Sequence, residues 1–280
     1  MHILLNIADY PFLIYAFIVG GLSALCLSLL GVPLVLKRYS MIGDGLSHVG
    51  FGAMSVALAL NLAPLYVAVP VVIVAAFLLM RISGNSKINA DAAIALISSS
   101  AVAIGVLCTS LSGGSNIDIY NYMFGSLLSL SRSDVWFSIA ISAAVLILFV
   151  FFYNRVFAMT FDEDFAAATG SKIGIYKSLS ALLTAVTVVI GMNLMGTLLV
   201  SSLIIFPALT SMRVFRSFRG VVICSAVISL ICAAGGILAS CLVAGASAGA
   251  SIVVVNLLAF IIFAVFGAAS RHARGHKHRT

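Results

Sequence analysis

The chain has 280 residues, of which 62% are hydrophobic and only 8% charged, against about 25% charged in an ordinary soluble domain. With a mean hydropathy of +1.22, it carries too few polar groups to cover a water-facing globule. That excludes a soluble enzyme, a nucleic-acid module and a disordered chain. What remains is an all-α, polytopic membrane protein. One span takes about 20 residues, so residues 1–280 read as a single transmembrane domain.

The opening MHILLNIADY lacks a basic n-region and a cleavage site, so the first apolar run is expected to be an uncleaved span. That run covers Pro11 to Leu36 and stops at Lys37-Arg38. A second covers Gly43 to Asn61, and a third runs from Pro64 to Arg81. After the polar loop Arg81 to Asp91, a fourth covers Ala92 to Leu111, and a fifth Val135 to Asn154. The interval Arg155 to Lys177 is the longest polar stretch. Two runs follow, Ser178 to Gly191 and Leu194 to Met212, divided at Met192-Asn193. Beyond the basic patch Arg213 to Arg219 come Gly220 to Val243, Ala250 to Ala269 and the basic tail 271–280. The expectation is about nine transmembrane helices.

Lys and Arg accumulate on the cytoplasmic side. With the tail inside and nine alternating spans, 14 of the 15 basic residues fall in the cytoplasm and only Arg132 falls outside. This predicts an outside N-terminus and a cytoplasmic C-terminus. Counting the short apolar run Ile119 to Ser131 as a span would spoil that asymmetry, so it reads as a re-entrant or interfacial segment on the outer side. The five cysteines, Cys26, Cys108, Cys224, Cys232 and Cys241, lie in apolar runs without a CxxC pair and read as small core- or lipid-facing residues.

Asp44 stands apart from the loop charges, at the start of the second apolar run, with His48 four residues later. On a helix the two share a face. An ionisable group in a membrane segment is a functional candidate, and carboxylate plus imidazole suits a borderline dication such as Zn²⁺ or Mn²⁺. The alternative is that Asp44 caps the second helix and His48 is interfacial. Gly43, Gly45, Gly50 and Gly52 leave little side-chain bulk, which suits close helix contact or a pore.

In TFDEDFAAATGSKIGIYK (Thr160 to Lys177), Thr160 or Asp162 can cap a short helix, with Glu163 and Asp164 at its positive end and Gly170 at its close. Phe161 and Phe165 are four apart. A docking knob for a soluble partner is favoured over a helix lying on lipid.

Four segments resemble the integral-membrane permeases of zinc/manganese-type metal-ion ABC importers. They are KRYSMIGDGLSHVGFGA (Lys37 to Ala53), NIDIYNYMFGSLLSLSRSDV (Asn116 to Val135), FDEDFAAATG (Phe161 to Gly170) and MNLMGTLLVSSLIIFPALTSMRVFRSF (Met192 to Phe218). The resemblance implies a homodimeric subunit in the cell membrane of a prokaryote. It would be served by cytoplasmic ABC ATPase subunits and an extracytoplasmic metal-binding protein, with no bound nucleic acid. It makes Asp44 and His48 the metal-contacting pair; the remaining ligands would come from the dimer mate, water or Asn193. Asp118, on the outer loop, either helps receive the ion or caps the following turn. Asp162, Glu163, Phe165, Ala168 and Gly170 would grip the ATPase. The cargo would be Zn²⁺ or Mn²⁺, with Fe²⁺ also suited to such a pair, and no permanent cofactor is expected. The tail histidines His272, His276 and His278 are outside the family pattern and read as part of a basic tail.

The chain carries no GxxxxGK[ST], so ATP hydrolysis is expected on a separate subunit and the chain itself is not expected to be an enzyme. GASAG (Gly245 to Gly249) formally matches GxSxG but lies between apolar spans with no His or acid before the tail. An aspartyl intramembrane protease would need a second membrane aspartate, and Asp91 sits at a span boundary. Three alternatives stand beside the metal importer: an ion-coupled secondary carrier using Asp44 as its proton site, that protease, and an iron-chelate or cobalamin-type ABC permease.

Overall fold

The structure, a computed structural model, describes residues 11–85, 90–112, 123–125, 130–163, 168–169, 173–243 and 246–277, with side chains for all of these except 11, 83–85, 90 and 268–277. Among the described residues every regular element is a helix. In chain order they are α1 (Pro11–Leu36), α2 (Ile42–Ala59), α3 (Pro64–Asn85), α4 (Ala90–Leu111), α5 (Arg132–Phe151), α6 (Tyr153–Phe161), α7 (Ile173–Met195), α8 (Thr197–Met212), α9 (Phe218–Leu242) and α10 (Ala248–Lys277). Hydrocarbon offers the backbone no hydrogen-bonding partner, so an apolar chain of this kind must satisfy its amides internally as helix.

Each expected apolar run folds as a helix, and among the described residues seven helices are long and apolar enough to cross a membrane: α1, α3, α4, α5, α7, α9 and α10. The two others differ for physical reasons. Helix α2 carries Asp44, His48 and four glycines, and most of its residues are buried by protein. Helix α8 has 16 residues, about 24 Å of rise against about 30 Å of hydrocarbon.

Burial sorts the bundle. The apolar windows of α7 and α1 are 72% and 61% buried, whereas those of α10 and α4 are 17% and 22% buried. The outer helices turn Leu96, Leu107, Val265 and Phe266 outward, as lipid-facing surfaces do. Helix α2 packs against α3, α4, α7 and α8, while α8 touches α1, α2, α7, α9 and α10. Leu46 and Met54 of α2, Met192 and Met195 of α7, and Leu199, Leu203 and Ile204 of α8 share one buried core.

The division between the sixth and seventh runs lies at Gly196 and not at Met192-Asn193, which stay inside α7. Gly196 has φ +89°, a conformation open to glycine. A Cβ there would also lie 2.5 Å from the Gly125 nitrogen. Residues 123–125, the described part of the expected outer segment together with 130–131, pack on this break through the backbone of Gly125, itself at φ +71°. The rest of that segment, with Asp118, lies outside the described residues.

Candidate functional site: a carboxylate–imidazole pair held by two helices

Helix α2 begins at Ile42 with Met41 in the cap position and no side-chain cap. Asp44 lies in its first turn and spends its carboxylate elsewhere, which removes the capping alternative. Ser201 Oγ of α8 donates to Asp44 Oδ1 at 2.8 Å. His48 Nε2 stands 3.6 Å from the same oxygen. That is too long for a hydrogen bond, but it suits a shared ion. Ligand bonds of about 2.1 Å at a tetrahedral angle place two donor atoms about 3.4 Å apart. The side chains of His48 and Asp44 are 19% and 28% exposed, so the pair is enclosed yet reachable.

Ser47 reinforces the turn, donating to the Asp44 carbonyl at 2.8 Å with its Oγ 3.5 Å from that of Ser201. The glycines serve close packing and not an open pore. A Cβ at Gly43 would strike Ile204, at Gly45 the Ile94 side chain, at Gly50 the Met192 sulfur and at Gly52 the Ala101 carbonyl.

The group that reaches Asp44 from across the bundle is therefore Ser201. Asn193 is exposed near the end of α7, while its neighbour Met192 fills the space beside Gly50. The signal for Ser201 was present in the sequence as a Ser201-Ser202 pair inside an apolar run, one turn after Thr197. Among the described residues no cluster of three or more His, Cys, Asp or Glu side chains could hold a metal ion.

At the other candidate region, Thr160 is not a cap. Helix α6 continues to Phe161, and the Thr160 hydroxyl bonds back to the Val156 carbonyl. Asp162 closes α6 in an extended conformation. Glu163 is held by Lys37, which follows α1, and by Lys177 of α7. Burial pushes the Glu163 carboxyl up, but hydrogen bonds from Lys177 and Lys37 and their charges outweigh it and hold the group below its ordinary value. Phe157 and Phe161 of α6 pack on Phe218 of α9 at ring separations of 5.3 and 6.0 Å. Ala168 is exposed. Phe165 and Gly170 lie outside the described residues, as does His278, and the side chains of His272 and His276 are not described.

A helical body with membrane-length apolar helices, enclosing a carboxylate–imidazole pair, is the build of a membrane permease. The chain belongs to the ABC 3 transport family, which residues 9–267 match. It is 27% identical to the manganese transport system membrane protein MntC of Halalkalibacterium halodurans, over 97% of this chain and 94% of that one. To the high-affinity zinc uptake system membrane protein ZnuB of Haemophilus influenzae it is 26% identical, over 90% and 97%. The solved structure of PsaBC from Streptococcus pneumoniae in complex with Fab superposes with a TM-score of 0.83 at 26% identity, covering 94% of each chain. The chain is thus the permease subunit of an ABC transporter and a multi-pass protein of the prokaryotic cell membrane. Family membership sets aside the secondary carrier and the protease.

Proposed function

We propose that this permease moves a bare divalent transition-metal ion, Mn²⁺ or Zn²⁺, into the cytoplasm, with Asp44 and His48 as its ligands on the path. The observation that carries this is the pair itself, one carboxylate and one imidazole 3.6 Å apart on one face of a protein-enclosed helix. The relatives named for manganese and zinc transport support the choice of ion. A two-residue site favours an ion in transit over one held permanently, since conduction needs binding weak enough to leave. A chelate would instead need a broad pocket.

The same reading makes the chain one half of a homodimer and gives ATP hydrolysis to separate cytoplasmic subunits gripping residues 162–170. An extracytoplasmic protein delivers the ion, and the subunit alternates its exposed side as the ATPases close. The basic-residue asymmetry supports a cytoplasmic C-terminus. Asp44→Asn and His48→Ala are each expected to abolish metal-dependent uptake by complexes that still assemble. Normal uptake in both removes the ligand assignment. Phe165→Glu is expected to release the ATPase on purification, and transport-coupled ATPase activity in that variant argues against the docking role.

A further inference from the structure

Among the described residues, Ser201 is the side chain that reaches the Asp44 carboxylate from another helix. Its hydroxyl has three acceptors in range: Asp44 Oδ1 at 2.8 Å, the Thr197 carbonyl at 3.2 Å and Ser47 Oγ at 3.5 Å. A hydroxyl carries one proton, and an ionised carboxylate attracts it most strongly, so the proton goes to Asp44. Ser47 cannot substitute, because its own proton is used on the Asp44 carbonyl at 2.8 Å. Ser201 and His48 therefore converge on the same carboxylate oxygen from different helices.

Ser201 has a second distinguishing feature. It lines a cavity of about 460 Å³ walled by Phe124, Leu198, Phe206, Val253 and other apolar groups of α8 and α10. The other hydroxyl among the described lining residues, Ser202, is turned back onto the Leu199 carbonyl of its own helix. Ser201 thus borders open, apolar space on one side while its hydroxyl is turned to Asp44 on the other. One turn earlier on α8, the buried Thr197 hydroxyl has no hydrogen-bond partner among the described residues.

We infer that Ser201 is a positioning residue of the ion path: its hydrogen bond holds the Asp44 carboxylate toward His48 and so sets the affinity and ion preference of the pair. This rests on Asp44 and His48 being ligands of the transported ion. A carboxylate is otherwise broadly free to turn about its last torsion, and a donor on α8 fixes its plane relative to an imidazole on α2. When an ion takes Oδ1, the Ser201 proton turns to the Thr197 carbonyl and the hydroxyl stays in place. Because α8 also packs on α1, α7, α9 and α10, displacement of α8 would alter the carboxylate directly.

The test is uptake by proteoliposomes holding the complete transporter, over a range of Mn²⁺ and Zn²⁺ concentrations. Ser201→Ala is expected to raise the half-saturating Mn²⁺ concentration about tenfold, the scale of a lost hydrogen bond to a charged group. The maximal rate should change much less. Ser201→Thr, which keeps the hydroxyl beside an open cavity, is expected to restore the wild-type value. Ser201→Cys keeps the size but offers a weak donor and a soft sulfur, and should shift the Zn²⁺:Mn²⁺ uptake ratio toward zinc.

A packing role would leave that ratio unmoved and would be harmed by Thr at least as much as by Ala. An unchanged half-saturating concentration in Ser201→Ala overturns the inference, as does an unchanged ion ratio in Ser201→Cys. If the Ala variant fails to assemble, the Thr and Cys variants carry the test. Asp44→Asn measured alongside separates the two levels. Loss of uptake there with an unaffected Ser201→Ala sinks only the role of Ser201. Undiminished uptake in Asp44→Asn sinks the ligand assignment and this inference with it.

Discussion

Lys37, the residue that follows α1, donates to Glu163 Oε1 126 positions further along the chain, and Lys177 of α7 donates to Oε2. One carboxylate thereby joins three places: the turn between α1 and α2, the segment after α6, and the first turns of α7. The Lys37 side chain is only 11% exposed. The turn it anchors leads directly into the helix that bears Asp44. The segment after α6 is thus tied through Glu163 to the start of α2 by a route that does not pass through the apolar core.

Glu163→Gln is expected to loosen this link. Its contribution to stability is about 1 kcal/mol or less, because the Glu163 side chain is 38% exposed and solvent screens such pairs. The pH dependence has a definite sign. The folded carboxyl titrates below its ordinary 4.5, so its stabilisation is complete above that value and is lost as pH falls through the folded value. Lys37 limits the other side. Burial lowers its ammonium below 10.5 despite the opposing pull of Glu163, so it loses its charge at a less alkaline pH than a free lysine. Thermal unfolding of the purified protein should separate wild type from Glu163→Gln at neutral pH, and the gap should close as pH falls through the folded carboxyl's lowered value. A pH-independent gap would assign the loss to packing instead.

Arg38 is held at φ +63° by a pair of bonds that close α1, Tyr39 N–H to the Leu34 carbonyl at 2.8 Å and Arg38 N–H to the Val35 carbonyl at 3.1 Å. This is a Schellman ending, whose left-handed position ordinarily holds glycine or asparagine. The end of α2 has the same construction with Asn61 at φ +56°. Arg38→Gly is expected to stabilise the fold by about 0.5–1 kcal/mol, as relief of the left-handed strain exceeds the added freedom of the unfolded chain. Asn61→Gly should change little and Arg38→Val should destabilise, since branching at Cβ crowds this conformation further. Unfolding midpoints of the three variants decide it. A lower midpoint for Arg38→Gly would mean that the guanidinium makes a contact worth more than the strain.

What could be read from the sequence follows from how local the signal is. Uninterrupted apolarity located α1 at Pro11–Leu36, and the i, i+4 spacing put Asp44 and His48 on one face. Both depend only on neighbours along one helix. The division at Gly196 was misplaced because Asn193 is the more polar residue, whereas the true break is set by a backbone angle and by the approach of Gly125. Thr160 reads as a cap by residue type, but a threonine within a helix can equally bond back one turn, as it does here to Val156. Ser201 and the clamp on Glu163 depend on partners 157 and 126 residues away, and no single-helix pattern encodes such pairings.

The glycines of α2 should differ sharply in their tolerance of alanine. At Gly43 the new methyl would meet Ile204 Cδ1, the far end of a flexible side chain. At Gly52 it would lie 2.6 Å from the Ala101 carbonyl oxygen, part of the α4 backbone. A side-chain tip can rotate away, and alanine recovers about 1 kcal/mol of helix propensity over glycine. A helix backbone can yield only by moving the whole helix, at a cost of about 1–3 kcal/mol for such overpacking. Gly52→Ala is therefore expected to lower the unfolding midpoint clearly and Gly43→Ala only slightly. Ile204→Val, which removes the obstructing Cδ1, should rescue Gly43→Ala, and no side-chain trimming at position 101 should rescue Gly52→Ala. Because Gly43 adjoins Asp44, uptake by the Gly43→Ala variant also reports whether the carboxylate tolerates a shift of its own turn. A wild-type midpoint in Gly52→Ala would show that α2 and α4 can separate at no cost, contrary to the tight contact between them.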